Sequence, residues 1–426
     1  MKDDPSIFLN SSRFDILAKY IYAKLSDKKR ETDYGKDIYY NHLKVWNDCR
    51  HGDGKNNFNE YLESFDELLA SIKKEGFDAK KSKVNTTPDH RLLNGGHRVA
   101  SCLLHDKKIE YEYGGIGQSD VDYNYFLNKD DFVSTGLERK YCDSIAIEYC
   151  KIKPSTFIVT IFPSAHGNLD KVEQILSTHG DIFYKKDVSL SSRGALNLMR
   201  QMYEGEEWAG DYSNNYAGFR EKASLCFQGE GPLKDRVYAY VVSFKDPNEI
   251  PKIKKEIRDI FKIGNHSVHI NDTWPETMKL AKAFFNHNSI YYMNTVEPSY
   301  YKDFEQACNY LGDCVSAHLL DADDYCVTGS AVLSRLGIRE GKDLDYLHRA
   351  PEIRGHPLLD THNEYSQGRY TLTIDDIIYN PDNHFYFNGI KYADLRVIIK
   401  LKEKRGEEKD KKDLELIEKF LYEGQF

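Results

Sequence analysis

Two aspartates near a Gly-Ser turn are the strongest candidates for chemistry in this sequence. Asp343 and Asp345 are two residues apart, and on a strand that spacing points both carboxylates to one face. Carboxylate oxygens are ligands that Mg²⁺ accepts, so the pair can hold a divalent cation. Gly329 and Ser330 follow a short apolar stretch and begin a predicted helix. The free backbone N–H groups at the start of that helix can bind phosphate oxygens. A cation beside bound phosphate is what attack on a nucleotide phosphate requires.

The Gly-Ser turn followed by Asp-x-Asp resembles the signature of the nucleotidyltransferase superfamily. The resemblance implies a mixed-sheet domain in which Asp343 and Asp345 are catalytic carboxylates and Mg²⁺ ligands. It also implies that Gly329 and Ser330 hold nucleotide phosphates, and that a third carboxylate lies on a neighbouring strand. The sequence leaves three candidates for that carboxylate: Asp375, Asp376 and Asp394.

A charged C-terminal stretch extends this resemblance to nucleotidyltransferases of the AbiEii toxin type, which have a helical lysine followed by an Arg-x-Lys-Asp-x-x-Asp tail. This chain departs from that pattern in the longer spacing between Arg and Lys and in the Lys342 that precedes Asp343. The resemblance implies that Lys400 or Arg405 binds the nucleotide and neutralises charge on it. Arg339 also fits the LicD-like branch, which transfers phosphorylated alcohols to glycans, and the alternative to both is a solvated helix. The similar residues are Lys400 or Lys402, Arg405, Asp410 and Asp413.

A second glycine turn, near residue 95, is another candidate for phosphate binding. Gly95 and Gly96 precede a predicted helix that begins at His97-Arg98, and glycines allow a phosphate to approach the backbone closely. The Arg98 guanidinium suits phosphate oxygens, and His97 can orient a phosphate or exchange a proton. The alternative is a plain turn followed by a surface arginine.

The turn and its helix resemble the ParB/sulfiredoxin-like fold, with Asn94 in place of the usual leading aspartate. The resemblance implies nucleotide binding at Gly95, Gly96 and Arg98, with CTP-dependent DNA partition, sulfinic-acid reduction or serine-kinase activity. Partition is not expected, because the formal net charge is -9 and no basic helix-turn-helix follows. Reduction is not expected because Cys102 stands in an apolar run. Kinase-like phosphotransfer with His97 as a catalytic residue remains.

A histidine in the middle of the chain has two interpretations. The stretch around His269 is loosely similar to the phosphate-carrying histidine segment of nucleoside diphosphate kinases. The other interpretation is purely structural, because Thr273 and Glu276 form a capping box with Pro275 in the first turn of a helix.

The elements that position these residues indicate an α/β and α+β multidomain protein, since 426 residues exceed one ordinary core. Residues 1–150 are predicted to form the ParB/sulfiredoxin-like domain. In it one helix follows a cap at Ser11 or Ser12, and another ends at Gly76. Alternating strands and helices in 151–295 predict a ferredoxin-like α/β domain. Residues 296–426 are predicted to form the nucleotidyltransferase-like domain.

The composition indicates the cellular location of the protein, the state of its cysteines and the kind of partner it binds. No run approaches about 18 apolar residues, and the first residues lack the apolar stretch of a signal peptide, so we expect a cytoplasmic protein. The eight scattered cysteines predict buried free thiols and no zinc site. The negative net charge argues against nucleic acid as a partner.

The expected function is a Mg²⁺-dependent transferase that uses a nucleoside triphosphate or diphosphate. It would transfer a phosphoryl or nucleotidyl group to a small hydroxyl compound, such as a surface-glycan precursor. One alternative is a nucleotide-sensing or toxin-like protein that acts on RNA or protein, and another is a scaffold with degenerate sites. The patterns leave open the base, the acceptor and the oligomeric state.

Overall fold

The structure is a computed structural model that describes residues 1–50, 54–81, 83–114, 120–128, 137–317 and 322–423. In these residues the chain is a mixed α/β protein with 17 α-helices and three open sheets. None of the described helices is both long enough and apolar enough to span a membrane. The chain divides into two compact units: unit 1 is Met1–Phe157, Glu173–Lys185 and Tyr240–Ile250, and unit 2 is Ile158–Val172, Lys186–Ala239 and Pro251–Phe426.

Unit 1 contains a small mixed sheet of strand order β1-β3-β2. Strand β3 (Ile109–Tyr113) pairs antiparallel with β1 (Lys2–Asp3) and parallel with β2 (Val84–Thr86). Helix α1 packs against α2 and α4, which places the predicted phosphate turn beside the first helix. The helices are α1 (Ile16–Asp27), α2 (Tyr34–Asn47), α3 (Phe58–Glu75), α4 (Gly96–Leu104), α5 (Tyr123–Leu127) and α6 (Leu137–Ile152).

The start of α1 differs from the sequence prediction, whereas the end of α3 agrees with it. The predicted cap at Ser11 or Ser12 is wrong, because α1 begins only after Asp15. The Ser11 backbone N–H instead donates to Asp181 at 2.8 Å, which holds Ser11 away from the helix. Helix α3 ends at Glu75 with Gly76 as its C-cap, as its glycine predicted.

The second sheet has the order β5-β6-β4-β7. Each strand and helix predicted for residues 151–295 is present in the predicted order, with boundaries displaced by a few residues, but the helices at Ala217–Cys226 and His287–Thr295 were not predicted. Helix α11 begins with the predicted capping box, in which Thr273 and Glu276 cap each other's backbone. The elements are β4 (Thr156–Ile161), α7 (Leu169–His179), β5 (Gly180–Ser189), α8 (Ser192–Met202), α9 (Ala217–Cys226), β6 (Arg236–Phe244), α10 (Ile250–Phe261), β7 (Val268–Ile270) and α11 (Trp274–Phe284).

The third sheet lies in unit 2, has the order β10-β9-β8-β12-β11, and carries the aspartate pair. Strand β9 (Leu344–His348) runs antiparallel to β8 (Tyr325–Val327) and parallel to β10 (Leu359–Thr361). Its Leu344 and Tyr346 are fully buried in the hydrophobic core. The remaining elements are β11 (His384–Phe387), β12 (Ile390–Ala393), α12 (His287–Thr295), α13 (Lys302–Ala317), α14 (Ser330–Arg335), α15 (Ile374–Tyr379), α16 (Leu395–Arg405) and α17 (Glu408–Glu423).

The cysteines form no disulfide. All eight are free, and all but the partly exposed Cys314 are buried, as their scattered positions in apolar runs predicted. Burial raises the pKa of the Cys102 thiol to about 12, so this side chain is not a reactive thiolate near neutral pH.

Candidate functional site

The Gly-Ser turn is held directly against the aspartate strand. The Thr328 N–H donates to the Asp345 carbonyl oxygen at 2.8 Å, immediately before the turn. Gly329 has φ +63° and ψ -145°, a backbone conformation that side chains with a Cβ rarely adopt. A Cβ at this position would also collide with Oδ2 of Asp345. Glycine is therefore required both by the turn and by the approach of the carboxylate.

Asp343 and Asp345 lie on one face, as their spacing predicts, but in different surroundings. Asp345 is 6% exposed at the base of the site, whereas Asp343 is exposed just before β9. The Ser330 hydroxyl donates to Asp343 Oδ1 at 3.4 Å, which links the turn to both carboxylates. Partial burial, followed by the charge of Asp345, raises the pKa of the Asp343 carboxyl above its usual value. A cation would stabilise the charge on Asp343, whose ionisation is opposed by burial and by neighbouring Asp345.

The structure adds a third carboxylate and an imidazole, both missed by the sequence prediction. Asp360 on β10 pairs with Asp345 on the parallel strand β9. The backbone N–H of His362 donates to the Tyr346 carbonyl oxygen at 2.8 Å, which continues this pairing. His362 follows Asp360 by two residues, so both side chains reach the face of Asp345. One donor atom each from Asp345, Asp360 and His362 lies within 4.8 Å of the others. This arrangement suits one divalent cation.

The three aspartates proposed from the sequence as third carboxylates have other partners. Asp375 is buried and accepts from the Arg349 guanidinium at 2.6 Å. Asp376 accepts from the Thr373 hydroxyl at 3.0 Å in the cap of α15, and Asp394 caps α16. The signal for Asp360 was its Asp-x-His spacing. That signal was hidden because the three-residue strand β10 follows Pro357 in a stretch that reads as a loop.

The charged side chains of the two C-terminal helices pair mainly with one another. Lys402 is buried and its Nζ lies 2.6 Å from Asp413 Oδ2. The Arg405 guanidinium binds the Asp410 carboxylate, with Nε at 2.7 Å from Oδ2. Lys402, Arg405, Asp410 and Asp413 thus form one cluster of ion pairs. Lys400 is exposed on α16 and makes no hydrogen bond or ion pair with any described residue.

Arg405 reaches the carboxylate site through an aromatic ring. Its Nη1 donates to the Tyr365 hydroxyl at 2.7 Å. The Tyr365 ring stacks on the His362 ring, with centroids 4.5 Å apart and planes at 24°. Arg405 therefore positions His362 through Tyr365, whereas the sequence interpretation placed its guanidinium on the nucleotide.

The N-terminal turn has the predicted conformation. Gly95 has φ +94° and caps α4, which begins at Gly96. The Arg98 guanidinium donates to the Lys83 carbonyl oxygen just before β2. His97 Nε2 lies 2.7 Å from the Tyr39 hydroxyl, and burial followed by the charge of Lys19 holds its pKa well below the usual range. An imidazole that is uncharged near neutral pH favours orientation of neighbouring groups over proton exchange.

A buried ion cluster lies beneath the start of α4 and was not expected from the sequence. Asp15 is 1% exposed, accepts from Arg13 at 2.8 and 2.9 Å, and is ion-paired with Lys19. A Cβ on Gly96 would lie 3.1 Å from Arg13 Nη2 and 3.4 Å from Lys19 Nζ. Two cations facing one carboxylate leave a positive excess at the N-terminal end of a helix, where anions are stabilised.

The middle histidine fits the structural interpretation. His269 lies on β7, and burial lowers its pKa to about 3. Its ring packs edge-on against Tyr203, with centroids 5.2 Å apart.

Comparison of the chain with protein-family models, with curated proteins and with solved structures found no match. The two sites are therefore interpreted from their own geometry.

Proposed function

We propose that residues 296–426 form a nucleotidyltransferase site that depends on a divalent cation. The observation that carries the proposal is the convergence of Asp343, Asp345 and Asp360 beside the Gly329-Ser330 turn. Oxygen donors from adjacent strands are the ligands that Mg²⁺ or a similar cation takes in phosphate-handling sites.

The residues present fit such a cation. Asp345 and Asp360 would hold it, since one oxygen of each lies within 4.8 Å of the other, and Asp343 would complete the acidic face. When bound, the cation would neutralise the phosphate charge and stabilise the charge that develops during transfer. The Ser330 hydroxyl would donate to a phosphate oxygen, since its bond to Asp343 is long at 3.4 Å. Gly329 keeps Oδ2 of Asp345 free of steric obstruction.

The acceptor in this proposal is a small hydroxyl compound. Asp343 and Asp360 are exposed, so the face is open to a second substrate. The formal charge of -9 disfavours nucleic acid as that substrate, because its phosphate backbone would be repelled. A surface-glycan precursor fits this class, and RNA or a protein is the acceptor in the toxin-like alternative.

The test measures pyrophosphate release with Mg²⁺ or Mn²⁺, each common nucleoside triphosphate, and pooled alcohols, sugars, RNA and protein acceptors. Asp360→Asn removes one carboxylate charge without changing size, and Asp376→Asn is the matched control because Asp376 only caps α15. We expect turnover in the wild type and control, with a loss of at least about a hundredfold in Asp360→Asn. Equal release from both variants, or none from any protein, would refute the proposal. The acceptor that gains mass separates the small-molecule reading from the toxin-like one.

A second activity, kinase-like phosphotransfer in unit 1, is favoured by the ion cluster below Gly96. Arg13 and Lys19 add buried positive charge to a helix start preceded by two glycines. We propose that a nucleoside triphosphate binds there, with Arg98 on its phosphates and His97 holding the loop through Tyr39. We further propose that residues 1–150 form a ParB/sulfiredoxin-like domain, on the basis of the glycine turn that begins α4.

We also propose that residues 151–295 are ferredoxin-like. The order β5-β6-β4-β7 places the first and third strands of the region in the centre, as in a split βαβ arrangement.

A further inference from the structure

The imidazole of His362 is a nitrogen donor on an otherwise acidic face. Its Nε2 lies 3.0 Å from Oδ1 of Asp345, and both side chains are about nine-tenths buried, with exposed fractions of 12% and 9%. Asp360 brings a third donor within 4.8 Å of both. Ligand atoms at right angles and about 2.1 Å from one cation lie about 3.0 Å apart. The spacing observed between the imidazole and the carboxylate is thus that of two neighbouring ligands.

The ring is held in this orientation by its surroundings. Tyr365 stacks on it, and Arg405 fixes the Tyr365 hydroxyl at 2.7 Å. The other ring nitrogen, Nδ1, is buried without a hydrogen-bond partner among the described residues. His362 is therefore held by stacking and by Asp345, and no second hydrogen bond draws it away from the carboxylates.

Nitrogen ligation changes which cation the site prefers. Mg²⁺ binds oxygen ligands almost exclusively, whereas Mn²⁺ and later divalent metals accept imidazole together with carboxylates. A site built only from carboxylates would not make this distinction.

We propose that His362 is a ligand of the bound cation, together with Asp345 and Asp360, and that the site prefers Mn²⁺ to Mg²⁺. The inference rests on the proposed function only in using the same cation site. It concerns binding, so it can be tested without nucleotide or turnover.

The experiment is pulsed electron paramagnetic resonance of Mn²⁺ bound to the full-length, tag-free protein, which reports coupling from a ligated nitrogen. His362→Gln removes the imidazole. His348→Gln is the matched control, because His348 Nε2 lies 2.9 Å from the Thr361 hydroxyl, on the opposite face of β10. We expect nitrogen coupling in the wild type and in the control, and none in His362→Gln.

Calorimetry of the same proteins measures the preference for Mn²⁺ over Mg²⁺. His362→Gln should weaken Mn²⁺ binding by about tenfold or more, as loss of a ligand or its support does, and leave Mg²⁺ binding nearly unchanged. His362→Asn is measured in parallel, and a thermal melt shows that each variant is folded.

Bound Mn²⁺ without nitrogen coupling in the wild type would overturn the inference, as would coupling that persists in His362→Gln. Failure of the wild type to bind Mn²⁺ would overturn it too. Nitrogen coupling without pyrophosphate release would reject the proposed function and keep the metal assignment. Pyrophosphate release without nitrogen coupling would keep the proposed function and reject His362 as a ligand.

Discussion

Replacing Gly329 with alanine should weaken cation binding although glycine contributes no ligand. The backbone at Gly329, with φ +63° and ψ -145°, would cost alanine about 1–3 kcal/mol in strain. The new Cβ would also displace Oδ2 of Asp345, which lies in its path. We expect at least about a tenfold loss in Mn²⁺ affinity, or 1.4 kcal/mol, in addition to the loss of stability.

Gly389→Ala separates these two effects. Gly389 also has a positive φ, +76°, but a Cβ there would meet no atom within 4 Å. The control should lose about 1–2 kcal/mol of unfolding free energy and bind Mn²⁺ like the wild type. Urea denaturation gives the stability, and calorimetry gives the affinity. If folded Gly329→Ala binds Mn²⁺ as tightly as Gly389→Ala does, Asp345 is not a ligand or the turn does not position it.

Two further predictions concern the charge clusters. Asp413→Asn should lower the unfolding free energy at pH 7, by up to about 3–5 kcal/mol, since buried Lys402 loses the nearer of its two carboxylate partners and keeps only Asp410 at 3.5 Å. Exposed Glu418→Gln should have almost no effect. Burial opposes ionisation of Asp413, but hydrogen bonds from its cationic partners outweigh it and lower its pKa. Its contribution is therefore complete above about pH 4 and is lost as the pH falls through the lower folded pKa, so denaturation curves of variant and wild type should converge in acid. Arg98→Ala should weaken ATP binding by about 1.5–3 kcal/mol, roughly tenfold or more. Arg91→Ala is the control and should leave ATP binding unchanged, because Arg91 is exposed and already paired with two acidic side chains. Equal ATP affinities by calorimetry would remove unit 1 as a nucleotide site.

Local features of the site and the fold could be predicted from the sequence. Gly76 ends α3, Thr273 and Glu276 cap α11, and Asp343 and Asp345 share a face. Each depends on contacts within a few residues, such as a cap, a turn or the two-residue period of a strand, and the sequence contains that information directly.

The rest depended on which distant segments become neighbours. Asp360 becomes the third carboxylate because β10 pairs in register with β9. That pairing is made by backbone hydrogen bonds, which do not depend on the identity of the side chains and so leave no mark in the sequence. Arg405 turns towards Asp410 and Tyr365 because a partly buried guanidinium needs partners, so its charge is not left for a nucleotide. The sequence by itself determined the Gly-Ser turn and the aspartate pair. Only the tertiary structure decided that Asp360 and His362 join them, since strand pairing and the burial of charge are settled over the whole chain.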